Sequence, residues 1–289
     1  MMDILKNITL PEDTEKVVLD TYNKIRDFEE YKQIRSMLKA KERFAEINKV
    51  CVSLAQKSGI DEYTVCMAVL ICNADIARQR YIDKGVSIDV FYETAKDLRY
   101  KSDICKKYMG VQGIFVFEWF EKFYEVKIFK LGRLQFVEIS VSDKKNYIAV
   151  HIPKDGRLDY ADVLASYKAA YNFFPKTQDN LLLFICNSYF FLPEYKGTVF
   201  KEGSNTYRFI EDYTVLECEY TENFGDAWRI FDMDYTGDTS VLPRNTSLQR
   251  AFVEYIEKVG KFGEGKGAFL FDGEKIKKLT AEEINQIIR

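Results

Sequence analysis

The sequence predicts an α+β protein, with a helical part over residues 1–130 and a mixed-sheet α/β part over residues 131–289. Three observations lead there. Apolar residues recur at helical spacing from Val17 onward through the first part. From Gly132 the period shortens: Leu134, Phe136, Ile139 and Val141 read as a strand, and Tyr147, Ile148 and Val150 as its return. Residues 181–186 (LLLFIC) form a short continuous apolar run, the pattern of a strand covered on both faces.

Composition agrees with a globular chain. Of 289 residues, 47% are hydrophobic and 30% charged, and the 22 Phe and 19 Tyr supply bulk for a packed core. Formal net charge is -3, with no basic run, which argues against nucleic acid as a partner. The six cysteines form no C-x-x-C pair and accompany a single histidine, so no metal site is expected and reduced thiols are. The opening MMDILKNITLPEDTEK has early acids and no long apolar core, unlike a secretory signal. The apolar run at residues 65–72 is too short to span a bilayer. A cytoplasmic protein with no membrane partner is expected; the sequence leaves the oligomeric state open.

In the helical part, Pro11, Glu12 and Asp13 open a helix over residues 11–36, with acids at its positive end. A second is expected over 41–57, ended by Gly59. Asp61 caps a third over 61–83, apolar nearly all round at 65–72 and therefore central. Ser87 caps a fourth, with Val90, Phe91, Ala95 and Leu98 on one side. Residues 114–130 fit either period. The acids and lysines at Glu118, Glu121, Lys122 and Glu125 favour a helix.

In the sheet part, residues 142–146 make the turn of the first hairpin. Asp159 caps a helix with Val163, Leu164, Tyr167, Ala170, Tyr171 and Phe174 inward, closed by Pro175. After the strand at 181–186, a connection runs through Ser204, Asn205 and Thr206. Residues 213–220 and 227–231 read as a second hairpin. Thr246 and Gln249 form a capping box for a helix that ends at Gly260. Gly263, Gly265 and Gly267 read as a flexible hairpin before a strand at 268–271, and a helix over 281–288 closes the order of elements. The order ββ-α-β-α-ββ-α-β-α describes one mixed sheet with helices on its faces.

Chemistry concentrates at two strand ends. His151, the only histidine, ends the return strand, where it suits a general base or a hydrogen-bonded structural role. Lys154, Asp155, Gly156 and Arg157 form the loop before a helix. Backbone amides and cations there suit a diphosphate, though an ordinary turn has the same composition. Cys186, Asn187, Ser188 and Tyr189 follow the buried strand, where ligands gather in open α/β sheets. Cys186 or Ser188 would need a base to act as a nucleophile, and Tyr189 could protonate a departing thiolate. A buried cysteine and a turn Asn-Ser would explain the same residues.

Several motifs occur in order: Gly132-Arg133-Leu134-Gln135-Phe136, His151-Ile152-Pro153, Asn172-Phe173-Phe174, Cys186-Asn187-Ser188-Tyr189, Ser204-Asn205, and the run LPRNTSLQR from Leu242 to Arg250. Together they resemble the bacterial acyltransferase family that joins an N-acyltransferase N-terminal domain to a GNAT-like C-terminal domain. The resemblance implies a helical domain over 1–130 and a GNAT-like domain over 131–289 that takes acetyl-CoA or another acyl-CoA as co-substrate. It implies pantetheine along residues 147–152, ending at Ile152, and diphosphate at the loop carrying Lys154, Gly156 and Arg157. Of the family's usual glycine-rich loop, only Gly156 is in place. The expected reaction moves an acyl group to the amine of a small molecule or peptide. His151, or a carboxylate that the sequence does not single out, would be the base, and Ser188 or Tyr189 the proton donor. A non-catalytic acyl-CoA- or partner-binding module is the alternative, and a hydrolase using Cys186 or Ser188 a third.

Overall fold

A computed structural model of the protein describes residues 2–142, 145–177 and 179–288. The chain divides into two compact units, Met1–Lys130 and Leu131–Arg289.

The first unit is built from helices α1 (Met2–Ile8), α2 (Glu12–Ile25), α3 (Glu29–Ala40), α4 (Phe44–Ser58), α5 (Glu62–Cys72), α6 (Ala74–Asp83), α7 (Ile88–Ala95), α8 (Asp97–Tyr108) and the single turn α9 (Glu121–Tyr124). Their ends follow the capping residues. Asp61 accepts from the amides of Tyr63 and Thr64, Ser87 accepts from Val90, and Gly59 closes α4 in the left-handed region. Helix α5 has every residue from Thr64 to Cys72 buried, as its all-round apolar pattern requires.

Three expected helices are divided. The 61–83 segment breaks at Asn73, whose fully buried amide donates to the Val69 carbonyl at 2.9 Å while Arg35 donates to its side-chain oxygen at 2.7 Å. The Asn73 N–H still donates to the Val69 carbonyl at 3.2 Å, and the break is the turn of its backbone to φ -105°, ψ 7°, which the side-chain bonds hold. The 11–36 segment breaks where Phe28 turns extended to start α3, and the fourth helix kinks at Lys96. Residues 114–130 do not form one helix. A 3₁₀ turn at Phe117–Phe120 leads into α9, Val126 takes a positive φ of 58°, and Ile128–Leu131 is strand β1, buried throughout. Buried aromatic and aliphatic side chains at successive positions decided against the helix that the charges suggested.

The second unit continues with β2 (Leu134–Ser142), β3 (Lys145–His151), α10 (Tyr160–Phe173), β4 (Leu182–Ser188), α11 (Asn205–Glu211), β5 (Thr214–Thr221), α12 (Ala227–Phe231), α13 (Ser247–Lys258), β6 (Phe262–Phe271), β7 (Ile276–Lys277) and α14 (Ala281–Ile288). The sheet order is β1-β2-β3-β4-β6-β5, with β7 also paired to β6. Of the expected 142–146 turn, Asp143 and Lys144 lie outside the described residues. The Asp159 cap and the Thr246–Gln249 capping box are present.

Two expectations are corrected here. Residues 227–231 are helix α12, not a strand, and β5 pairs instead with β6. Ala227, Ile230 and Phe231 are buried while Arg229 bridges back to Asp226, a helical rather than alternating pattern. The Gly263, Gly265 and Gly267 stretch is not a flexible hairpin but the first half of β6. A Cβ on Gly265 would sit 2.8 Å from the Phe191 Cβ, and one on Gly267 3.0 Å from its ring. The glycines let the 3₁₀ turn Tyr189–Phe191 lie against the strand.

Both sheet faces are covered. On one, Tyr167 of α10 packs with Phe184, Phe269 and Phe271, and Phe136 and Phe174 extend the aromatic layer. On the other, Leu183, Ile185, Ala268 and Leu270 meet Ile284 of α14, with Tyr147 packed alongside. Alternating side chains on β4 therefore serve both layers.

Candidate active site at the parted strands

Strands β3 and β4 are parallel, and their pairing is short. Ile148 faces Phe184 and Ala149 faces Ile185, and there it ends. Both strands run on. β3 stays paired with β2 as far as His151 opposite Gln135, and β4 stays paired with β6 as far as Ser188 opposite Gly265. The two strands thus part toward their carboxyl ends inside an otherwise continuous sheet. Backbone N–H and C=O groups along a parted edge are available to an extended ligand.

The predicted site residues lie at the carboxyl ends of these two strands and on the segments that follow them. His151 is half-buried at the end of β3. Strand alternation puts it on the α14 face with Tyr147, and its cross-strand neighbour there is Gln135. Gln135 is 2% exposed and its Nε2 has no partner among the described residues. Ser188, by the same alternation, falls on the α10 face with Phe184 and Cys186. The sheet does not bring His151 and Ser188 onto one face. The Ser188 Oγ accepts from the Phe190 amide at 3.2 Å and caps the 3₁₀ turn that carries Tyr189.

Tyr189 is half-buried among the rings of Phe190, Phe200 and Phe252. Burial pushes its hydroxyl pKa well up. Asp226 adds to that rise and Arg229 opposes it, so the phenol is protonated at neutral pH. Burial also raises Asp226 above the usual carboxylate range, while its 2.8 Å bridge to Arg229 works the other way. The Cys186 thiol is fully enclosed and its pKa is driven strongly upward by burial, the opposite of an activated nucleophile.

Ile152 and Pro153 follow His151, half-buried and buried. Lys154 is exposed, and its Nζ lies 2.5 Å from Asp232 at the end of α12. The next three residues are held by one side chain. Arg133 pairs with Asp155 at 2.7 Å, its Nη2 donates to the Gly156 carbonyl at 2.9 Å, and its Nε donates to the Arg157 carbonyl at 2.8 Å. Gly156 has a φ of +151°, a conformation that an L side chain resists. The Arg157 side chain is exposed. Asp159 then caps α10 by accepting from the Ala161 amide at 3.1 Å. Arg133, Gln135 and the Asp226–Arg229 pair carry no assigned role in the sequence reading. A buried polar residue in a strand, Gln135, was the one available signal among them.

The chain matches the N-acyltransferase N-terminal domain over residues 1–126 and the GNAT-like C-terminal domain over residues 128–269. It belongs to the N-acyltransferase family that joins these two domains. It is also similar to solved structures of an acyltransferase. One, in complex with decanoyl-CoA, has a TM-score of 0.74 at 18% identity over 92% of this chain and 86% of that one. A second, with decanoyl-CoA and teicoplanin, has a TM-score of 0.72 at 18% identity over the same shares. A mutant in complex with octanoyl-CoA has a TM-score of 0.72 at 17% identity, again over 92% and 86%. At this identity the likeness is one of fold. No curated protein matches the chain. Among the described residues, no group of His, Cys, Asp and Glu could hold a metal ion, and no helix is long and apolar enough to cross a membrane.

Proposed function

We propose that the protein is an acyl-CoA-dependent N-acyltransferase, which moves an acyl group from a CoA thioester to the amine of a small molecule or peptide. The observation that carries this reading is the early end of β3–β4 pairing, followed directly by a loop and a capped helix. An opening between parallel strands fits the pantetheine arm, whose two amides can pair with strand backbone as an added strand would. The loop of Lys154, Gly156 and Arg157 and the start of α10 offer amides and cations to the diphosphate. Acyl-CoA as donor is supported by the relatives that bind octanoyl-CoA and decanoyl-CoA. The relative that binds teicoplanin supports an amine on a peptide-like or small molecule as acceptor. Six free cysteines favour the cytoplasm, where thiols stay reduced.

In this mechanism His151 takes a proton from the acceptor amine, whose nitrogen attacks the thioester carbonyl. The C–N bond forms and the C–S bond breaks. Tyr189, kept protonated by its burial, gives its proton to the CoA thiolate. Ser188, the other donor the sequence offers, falls on the sheet face opposite His151 and caps the 3₁₀ turn instead, so the role goes to Tyr189. Ile152, at the mouth of the opening, packs against the arm.

The test is thermal unfolding with CoA, acetyl-CoA, octanoyl-CoA and decanoyl-CoA, paired with a thiol-release assay over a panel of amines. A ligand at ~100 times its Kd adds about 2.7 kcal/mol of stability. A shift that depends on chain length, with amine-dependent thiol release, is the expected result; no shift with any ester overturns the reading. A second reading, a non-catalytic acyl-CoA-binding module, is favoured by the engagement of Lys154 with Asp232 and by the single glycine of the loop. It predicts a shift without thiol release.

A further inference from the structure

The Arg133 side chain makes three contacts to three consecutive residues of one loop. Nη1 meets the Asp155 carboxylate at 2.7 Å, Nη2 the Gly156 carbonyl at 2.9 Å and Nε the Arg157 carbonyl at 2.8 Å. The ion pair is buried, with the Arg133 and Asp155 side chains 10% and 6% exposed. The backbone amide of Arg133 is itself anchored to the Ser166 Oγ at 2.7 Å, and that hydroxyl donates to the Asp162 carbonyl in the first turn of α10. The β1–β2 turn, the loop and the start of α10 are therefore tied at one guanidinium.

Peptide planarity turns this into an orientation. The carbonyl of Gly156 shares a plane with the amide of Arg157, and that of Arg157 with the amide of Leu158. In a trans peptide C=O and N–H point in opposite directions. With both carbonyls drawn to Arg133, both amides face away from it. We propose that Arg133 is the positioning residue that sets the Arg157 and Leu158 amides toward the CoA diphosphate. It does by side-chain hydrogen bonds what a glycine-rich loop does by backbone freedom, in a chain where only Gly156 remains. A lysine cannot replace it, because one ammonium cannot span three acceptors in a fork. This inference rests on the acyl-CoA reading above.

The test separates the diphosphate from the rest of the donor. Binding of decanoyl-CoA and of S-decanoyl-pantetheine, which lacks the diphosphate, is measured by calorimetry for wild type, Arg133→Met, Arg133→Lys and Asp155→Asn. Arg133→Met is expected to weaken decanoyl-CoA about tenfold or more, the scale of lost charge-assisted hydrogen bonds, and S-decanoyl-pantetheine by no more than about twofold. Arg133→Lys follows the same pattern. Asp155→Asn, which leaves both carbonyl contacts in place, has a milder effect of about threefold on decanoyl-CoA alone. Equal weakening of both probes makes Arg133 a general support of the fold and overturns the proposal, as does no change in either. If Arg133→Met does not fold, Asp155→Asn decides by the same ratio. A wild type that binds neither probe removes the acyl-CoA reading itself; one that binds both with an unchanged ratio in the variants removes only this inference.

Discussion

β4 has two edges with opposite characters. Along β6 it is paired at seven successive residues, from Leu182 to Ser188; along β3 it is paired at two. The same strand is thus closed along one side and open, where the ligand is proposed to lie, along the other. The closed edge sits between two dense layers, the aromatic one under α10 and the aliphatic one under α14. The open edge ends in polar residues on short connections. Changes on the closed side should therefore show in stability and changes on the open side in binding and rate.

Phe184→Ala gives the largest expected effect. The ring is fully buried against Phe136, Tyr167, Phe269 and Phe271, and its loss should cost about 3–5 kcal/mol in urea unfolding. A loss under about 1 kcal/mol would mean that the closed side is not the stabilising one.

A buried charge at the foot of β5 gives the next. Asp212 accepts from the Tyr160 hydroxyl at 2.7 Å, yet burial raises its pKa to about 7, with Glu211 adding to the rise and Tyr160 and Lys278 opposing it. The folded state keeps a proton that an unfolded carboxyl, near its ordinary 3.8, has released. Its stabilising contribution is whole below pH ~4 and is lost as pH rises through about 7, by about 2–4 kcal/mol. Asp212→Asn should flatten that slope, so its unfolding midpoint should gain on the wild type from pH 5 to pH 8. Parallel pH profiles for the two proteins would contradict the buried charge.

On the open side, His151→Ala should lower kcat about a hundredfold, ~3 kcal/mol in the barrier, and leave the unfolding midpoint nearly unchanged. Undiminished turnover would take His151 out of the mechanism. Gly265→Ala tests whether the two edges are independent. The added methyl meets Phe191 and should cost about 1–3 kcal/mol in stability. Because Phe191 shares its turn with Tyr189, kcat should fall as well. A loss of stability alone would show that the closed edge can be strained without reaching the open one.

Much of the second unit was legible in sequence because its signals are local. The alternation of β2, the apolar run of β4, the Asp159 cap and the Thr246–Gln249 box each lie within a few residues, and each appears where expected. Several misreadings come from interactions that reach across the sequence. Asn73 interrupts a helix through bonds that include one to Arg35, 38 residues away. The three glycines of β6 read as a hairpin until Phe191 is seen against them. The parting of β3 from β4 is a property of pairing, which residue patterns along one strand do not record. Among site residues, strand ends pointed to His151, Ser188 and Tyr189, but a two-residue period counted along both strands was needed to see that His151 and Ser188 face opposite ways. Arg133 could not be read as a brace, since its acceptors at Gly156 and Arg157 are backbone carbonyls that any sequence would supply.

The seat of the Tyr189–Phe191 turn on Gly265 and Gly267 has a consequence for motion. The Phe191 ring meets Phe209 and Tyr213, whose rotamers can hop, but on the strand side it meets bare backbone, which has none. The thermal wander of the phenol two residues away is then limited by the stiffness of β6, which hydrogen bonds hold on both sides, to β4 and β5. The proposed proton donor is thus anchored, through its turn, to a strand paired along both edges.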